Sequence, residues 1–181
     1  KEYRRQRQMC IRDSTINNTL TAALATIREN NDIQFIWQTG KYYYPQVTEA
    51  VRAAGELPNL YVTDFIKDMA AAYAASDLVI SRAGAGSISE FCLLHKPVVL
   101  VPSPNVAEDH QTKNALALVD KQAAIYVKDS EAEAKLMEVA LSTVADDRKL
   151  KELSENIAKL ALPDSARIIA QEVIKLAESG N

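Results

Sequence analysis

Apolar and polar positions follow two rhythms along the chain. Short, β-branched apolar runs occur at residues 33–37 (IQFIW), 60–62 (LYV), 78–81 (LVIS), 98–101 (VVLV) and 124–127 (AIYV). Between them the apolar positions recur at helical spacing. Ile16, Leu20, Ala23, Leu24 and Ile27 share one face, as do Met69, Ala72 and Tyr73, and later Leu116 and Val119. Buried strands alternating with helices predict an α/β fold, with an open, mostly parallel sheet and helices on both faces. The last 50 residues change character and predict three helices, at 131–141, 147–160 and 165–176. Asp146 starts the second, and Asp164 or Ser165 is the expected N-cap of the third. No internal repeat, low-complexity tract or domain linker interrupts the pattern.

Composition narrows this picture. A chain of 181 residues that is 48% hydrophobic and 25% charged fits one globular domain. No stretch approaches the roughly 20 apolar residues of a membrane span. Two cysteines, Cys10 and Cys92, make neither a disulfide framework nor a zinc cluster, which points to a reducing, cytoplasmic setting. The net charge of −3 argues against nucleic acid as a partner. That charge is uneven. Residues 1–14 (KEYRRQRQMCIRDS) hold five basic and two acidic side chains, leaving 16 basic and 22 acidic for the rest. We read this arm as a terminus foreign to the domain rather than as a phosphate- or membrane-binding element, and the domain itself as residues 15–178.

Open α/β sheets bind ligands beyond the C-terminal ends of their strands. Three polar segments fall there. In SRAGAGSISE (81–90), Gly84 and Gly86 remove Cβ atoms so that backbone can approach a ligand. The N–H groups of Ala85, Gly86 and Ser87 open a helix whose dipole favours an anion, and Ser87 adds a hydroxyl. Glu90, further into the helix, can accept from two ribose hydroxyls. No Gly-Lys-Ser/Thr follows, so this is not a P-loop. The same residues equally fit a tight strand–helix turn with Ser87 as N-cap and Glu90 as its capping-box partner. In the second segment Asp109, His110, Gln111 and Asn114 open another helix. Amides and an imidazole suit hydroxyl-rich ligands such as sugars. The alternative is a polar helix start capped by Asp109. The third segment places Phe65-Ile66 at a strand end. They could form a flat slot for a base read by the Ile66 backbone, although residue type alone puts both in the core. His95 reads as a turn residue, and Asp146-Asp147 as a solvated helix start. No metal set and no nucleophile–base pair is visible.

Taken together, FIKDMAAAYAASDLVISRAGAGSISE (65–90) and KPVVLVPSPNVAEDHQTKNA (96–115) resemble the C-terminal half of the MurG family of N-acetylglucosaminyltransferases, over roughly residues 15–178. The resemblance implies the Rossmann-like C-terminal half of a GT-B glycosyltransferase. It implies transfer of N-acetylglucosamine from UDP-N-acetylglucosamine to undecaprenyl-diphosphate-muramoyl-pentapeptide in peptidoglycan synthesis, without metal or cofactor. By the same resemblance Ile66, after Phe65, reads uracil, and Arg82 lies near the nucleotide. Ala85, Gly86 and Ser87 face the diphosphate, and Glu90 holds the ribose. Gln111 and Asn114 bind the sugar, with His110 beside them. The acceptor site, the catalytic base and the membrane-contacting surface belong to the family's N-terminal domain. The whole enzyme is therefore expected at the inner face of the cell membrane, and this chain alone is expected to bind donor without turnover. One departure stands out. The family's glycine-rich loop is replaced by Cys10–Ser14, and no glycine precedes Gly40. Two other readings remain: a subunit of a two-protein GT-B transferase with another lipid acceptor, and a non-catalytic sugar-nucleotide-binding module.

Overall fold

The computed structural model describes residues 14–179. The reading of the N-terminal arm as foreign therefore falls almost wholly outside the described residues. Helices α1 (Ser14–Ala22) and α2 (Leu24–Glu29) precede strand β1 (Phe35–Gln38), helix α3 (Tyr44–Ala54) and strand β2 (Leu60–Thr63). Then come α4 (Met69–Ala75), β3 (Val79–Ser81), α5 (Ala85–Leu93), β4 (Val98–Leu100), α6 (His110–Val119) and β5 (Ile125–Tyr126). Helices α7 (Ala132–Val144), α8 (Asp147–Ala158) and α9 (Ser165–Ser179) finish the chain.

All five predicted strands form, and every pairing is parallel. They make two groups, β1-β2 and β3-β4-β5, rather than one continuous sheet among the described residues. Strand β4 explains why its run reads as apolar without alternation. Val98 and Leu100 pack with Phe91, Ala115, Leu118 and Ile157 on one face. Val99 and Val101 pack with Ile16, Ala132 and Leu136 on the other. Both faces of this group are covered by helices, as the pattern predicts. The β1-β2 pair is covered on one face by a cluster of Leu24, Ile27, Trp37, Val47 and Leu57. Ile36 and Tyr61, which point the other way, stay exposed.

Local chemistry accounts for the element ends. The predicted 16–27 helix is two helices, because the backbone at Ala23 leaves helical geometry (φ −94°, ψ 13°). The apolar face continues across the break. Helix α3 is absent from the sequence prediction, although Pro45 is itself a helix-start signal. Proline is in fact well suited to the first helical turn, where it stands here. Gly55, at φ +90°, ends that helix in a conformation that disfavours other residues. Asp146 caps α8 by accepting from the Arg148 and Lys149 N–H groups. At α9 the Asp164 carbonyl takes the first helical hydrogen bond, from the Ile168 N–H, so Asp164 holds the cap position. His95 lies in a turn at φ +55°. No helix among the described residues is long and apolar enough to cross a membrane.

A buried polar pair links α1 to the β1 end of the fold. The Trp37 indole N–H donates to Asn17 Oδ1 at 2.9 Å, and Asn17 Nδ2 donates to the Thr39 carbonyl at 3.1 Å. Such pairing offsets the cost of burying the amide.

Candidate functional site

Each of the three segments singled out in the sequence follows the C-terminal end of a strand, and the start of α6 is joined to the segment after β3 by the Asn114–Ala83 hydrogen bond. Helix α5 supplies the centre. Its first residue is Ala85, its N-cap is Gly84, and no side chain caps it. The first backbone bond runs from the Ile88 N–H to the Gly84 carbonyl. The N–H groups of Ala85, Gly86 and Ser87 are therefore left over, with no partner among the described residues. Neither glycine is needed for the turn, because Gly84 sits at φ −70°, ψ 140° and Gly86 has no positive φ. A Cβ built on Gly86 meets nothing within 4 Å. The capping-box reading is overturned: Ser87 lies inside the helix, and Glu90 reaches a different element. The Glu90 Oε2 atom accepts a hydrogen bond from the Tyr73 hydroxyl of α4 at 3.1 Å.

Helix α6 brings the amides alongside. Asn114 Nδ2 donates to the Ala83 carbonyl, just before Gly84, at 3.1 Å. Gln111 Oε1 accepts from the Ser103 N–H, in the loop after β4, at 3.0 Å. Each amide thus spends one group on bracing a neighbouring loop. Asp109 does not cap α6 through its side chain. It and Glu108 adopt left-handed backbone, both at φ +53°, a conformation costing roughly 1–2 kcal/mol per residue without glycine. His110 is exposed, with Nε2 3.6 Å from a Glu108 carboxylate oxygen.

The base-reading segment departs from the residue-type expectation. Phe65 is 60% exposed rather than buried in the core, and Ile66 is only half-buried. The aromatic face stands free because Thr63 fixes the loop locally, its hydroxyl donating to the Phe65 carbonyl at 3.1 Å. The Ile66 N–H donates to Gln38 Oε1 at 2.9 Å, so a carboxamide oxygen occupies the donor expected to read a base.

Arg82 is anchored within the protein. Its guanidinium pairs with Asp129 and donates to the Val101 carbonyl at 2.9 Å. Asp129 also accepts from the Thr15 hydroxyl at 3.0 Å. Both ion-pair partners are largely buried, at 15% and 17% side-chain exposure, so the pair locks the loop after β3 to the region after β5. Cys92 is buried, and that burial pushes its thiol up from the ordinary range. A thiol in such surroundings is a poor nucleophile at neutral pH. No cluster of His, Cys, Asp and Glu among the described residues could hold a metal ion. Gln38, Tyr73, Asp129 and Ser103 were not found by sequence reasoning, and no motif spacing marks them.

The model of the glycosyltransferase family 28 C-terminal domain matches residues 12–169. The chain is 97% identical over 167 residues to a UDP-N-acetylglucosamine--N-acetylmuramyl-(pentapeptide) pyrophosphoryl-undecaprenol N-acetylglucosamine transferase of Bacteroides thetaiotaomicron, covering 92% of the chain and 45% of that protein. It is 80% identical over 164 residues to the transferase of the same name from Bacteroides fragilis, covering 91% and 43%. A crystal structure of Acinetobacter baumannii MurG superposes with a TM-score of 0.76 at 25% identity, covering 92% of this chain and 49% of that one. The chain spans less than half the length of these curated relatives.

Proposed function

The chain belongs to the glycosyltransferase family 28 C-terminal domain family, and from that premise we propose that it is the donor-binding half of an N-acetylglucosaminyltransferase. The donor is UDP-N-acetylglucosamine, and the acceptor is the undecaprenyl-diphosphate-muramoyl-pentapeptide of peptidoglycan synthesis. The observation that carries this reading is the start of α5: three spare N–H groups, no cap, and open space over Gly86. A diphosphate fits that arrangement because the helix dipole and unpaired donors both favour negative charge. Phe65 and Ile66 take the base, the Ile66 N–H exchanging Gln38 Oε1 for the base edge, and Glu90 takes the ribose hydroxyls. Gln111 and Asn114, with His110 beside them, take the sugar through the amide groups that bracing leaves over. Arg82 holds the loop that presents Ala85, Gly86 and Ser87.

The chemistry asked of this half is limited. As the bond between the sugar's anomeric carbon and the diphosphate oxygen breaks, the electron pair departs with UDP. Fixed donors at the α5 start meet that growing charge and need no reorganisation. The base and the acceptor site belong to the remainder of the enzyme, as does the contact with the inner face of the cell membrane.

Calorimetric titration of the chain with UDP-N-acetylglucosamine, UDP-glucose and UDP tests the reading. Glu90→Ala and Gln111→Ala each weaken donor binding by tenfold or more, about 1.4 kcal/mol. The exposed control Glu131→Ala does not. Unchanged binding by Glu90→Ala overturns the ribose assignment, and multiple turnovers by this chain alone overturn the half-enzyme reading.

A further inference from the structure

We propose that Tyr73 is a positioning residue that holds the Glu90 carboxylate ready for the ribose diol. The proposal rests on the donor-binding reading above. Tyr73 lies one turn into α4, and Glu90 lies on α5 across a groove of about 500 Å³ whose other walls include Met69, Ala70, Ala74 and Leu94. The Tyr73 hydroxyl donates to Glu90 Oε2 at 3.1 Å. This is the one hydrogen bond found between these two helices among the described residues, and it spans 17 positions of sequence.

Three features suit Tyr73 to that role. First, its ring is itself fixed. It meets Phe91 edge-on at 5.8 Å, with an interplanar angle of 90°, and Phe91 is among the most buried side chains of the molecule. Second, burial and, after it, the Glu90 charge push the phenol up to about 12, so it remains a protonated donor at neutral pH. Third, the other polar group of the groove is occupied, because Lys96 Nζ donates to the Ser76 carbonyl at 2.7 Å. An exposed glutamate samples many rotamers, and immobilising it on binding opposes affinity. Tyr73 removes part of that loss in advance. It uses one lone pair of Oε2 and leaves Oε1 and the second lone pair of Oε2 to accept from two vicinal hydroxyls.

The test is Tyr73→Phe in the full chain, a change that keeps the ring and its Phe91 contact. UDP and 2′-deoxy-UDP are titrated against wild type, Tyr73→Phe, Glu90→Gln and the double variant. Wild type is expected to prefer UDP by tenfold or more. Tyr73→Phe should weaken UDP three- to tenfold while changing 2′-deoxy-UDP less, so that the preference shrinks. The double variant should bind UDP no more weakly than Glu90→Gln alone. Equal losses for both nucleotides in Tyr73→Phe would mark a merely structural residue and overturn the proposal, as would full additivity of the two changes. If Glu90→Gln matches wild type, the ribose assignment fails. If wild type binds no UDP, the donor-binding reading fails, and this proposal with it.

Discussion

Helices α8 and α5 begin in opposite ways. At α8 the Asp146 carboxylate accepts from two backbone N–H groups, so the helix start is satisfied by its own chain. Helix α4 is closed in the same manner by Asp68, which accepts from the Ala71 N–H. At α5 the N-cap is a glycine with no side chain to offer, and three donors are left over beside a site with room. A capped start is a finished piece of structure. An uncapped one, held in place by Asn114 and by the Arg82–Asp129 pair, keeps its N–H groups available, and on the proposed function an anion takes them.

That contrast can be broken experimentally. The largest effect is expected from Gly84→Asp, which converts the α5 start into a copy of the α8 start. The backbone there is already extended, as a capping aspartate requires. Thermal stability should rise slightly, while donor affinity measured by calorimetry should fall at least 100-fold, about 2.7 kcal/mol. Donor affinity within twofold of wild type would show that no anion uses these N–H groups. The reverse change, Asp146→Ala, should cost about 1 kcal/mol in denaturant unfolding and leave donor affinity alone. Smallest is Gly86→Ala. Its Cβ meets open space, so the chain should gain about half a kcal/mol from helix propensity, yet bind donor a few-fold more weakly. A stabilised variant with unaltered affinity would move the ligand away from Gly86.

Local rules made much of the fold readable. The 98–101 run forms a strand buried on both faces because no polar side chain interrupts it. Asp146 caps because its carboxylate is short and lies one residue before the helix. Failures arose where tertiary context chose between local options. Pro45 opens a helix absent from the sequence prediction. Phe65 is exposed although its type predicts burial. Ser87 has the composition of a cap and the position of a first-turn donor. The site divides in the same way. Its segments were visible as polar loops at strand ends, and their resemblance to one family assigned the roles. Their braces were not visible. The Gln38–Ile66 and Tyr73–Glu90 contacts join residues 28 and 17 positions apart, and nothing in residue spacing encodes such pairings.

Strand β4 lies between two partners, and Val98, Val99, Leu100 and Val101 have no measurable solvent exposure. Amides in such a position exchange with deuterium only when the domain opens as a whole. The loops around the α5 start will exchange through far cheaper local fluctuations. The molecule therefore carries an internal clock with two hands: β4 reports global opening, and the rim of the site reports its own motion. Donor added to the solution should slow the second hand well before any change in the first becomes measurable.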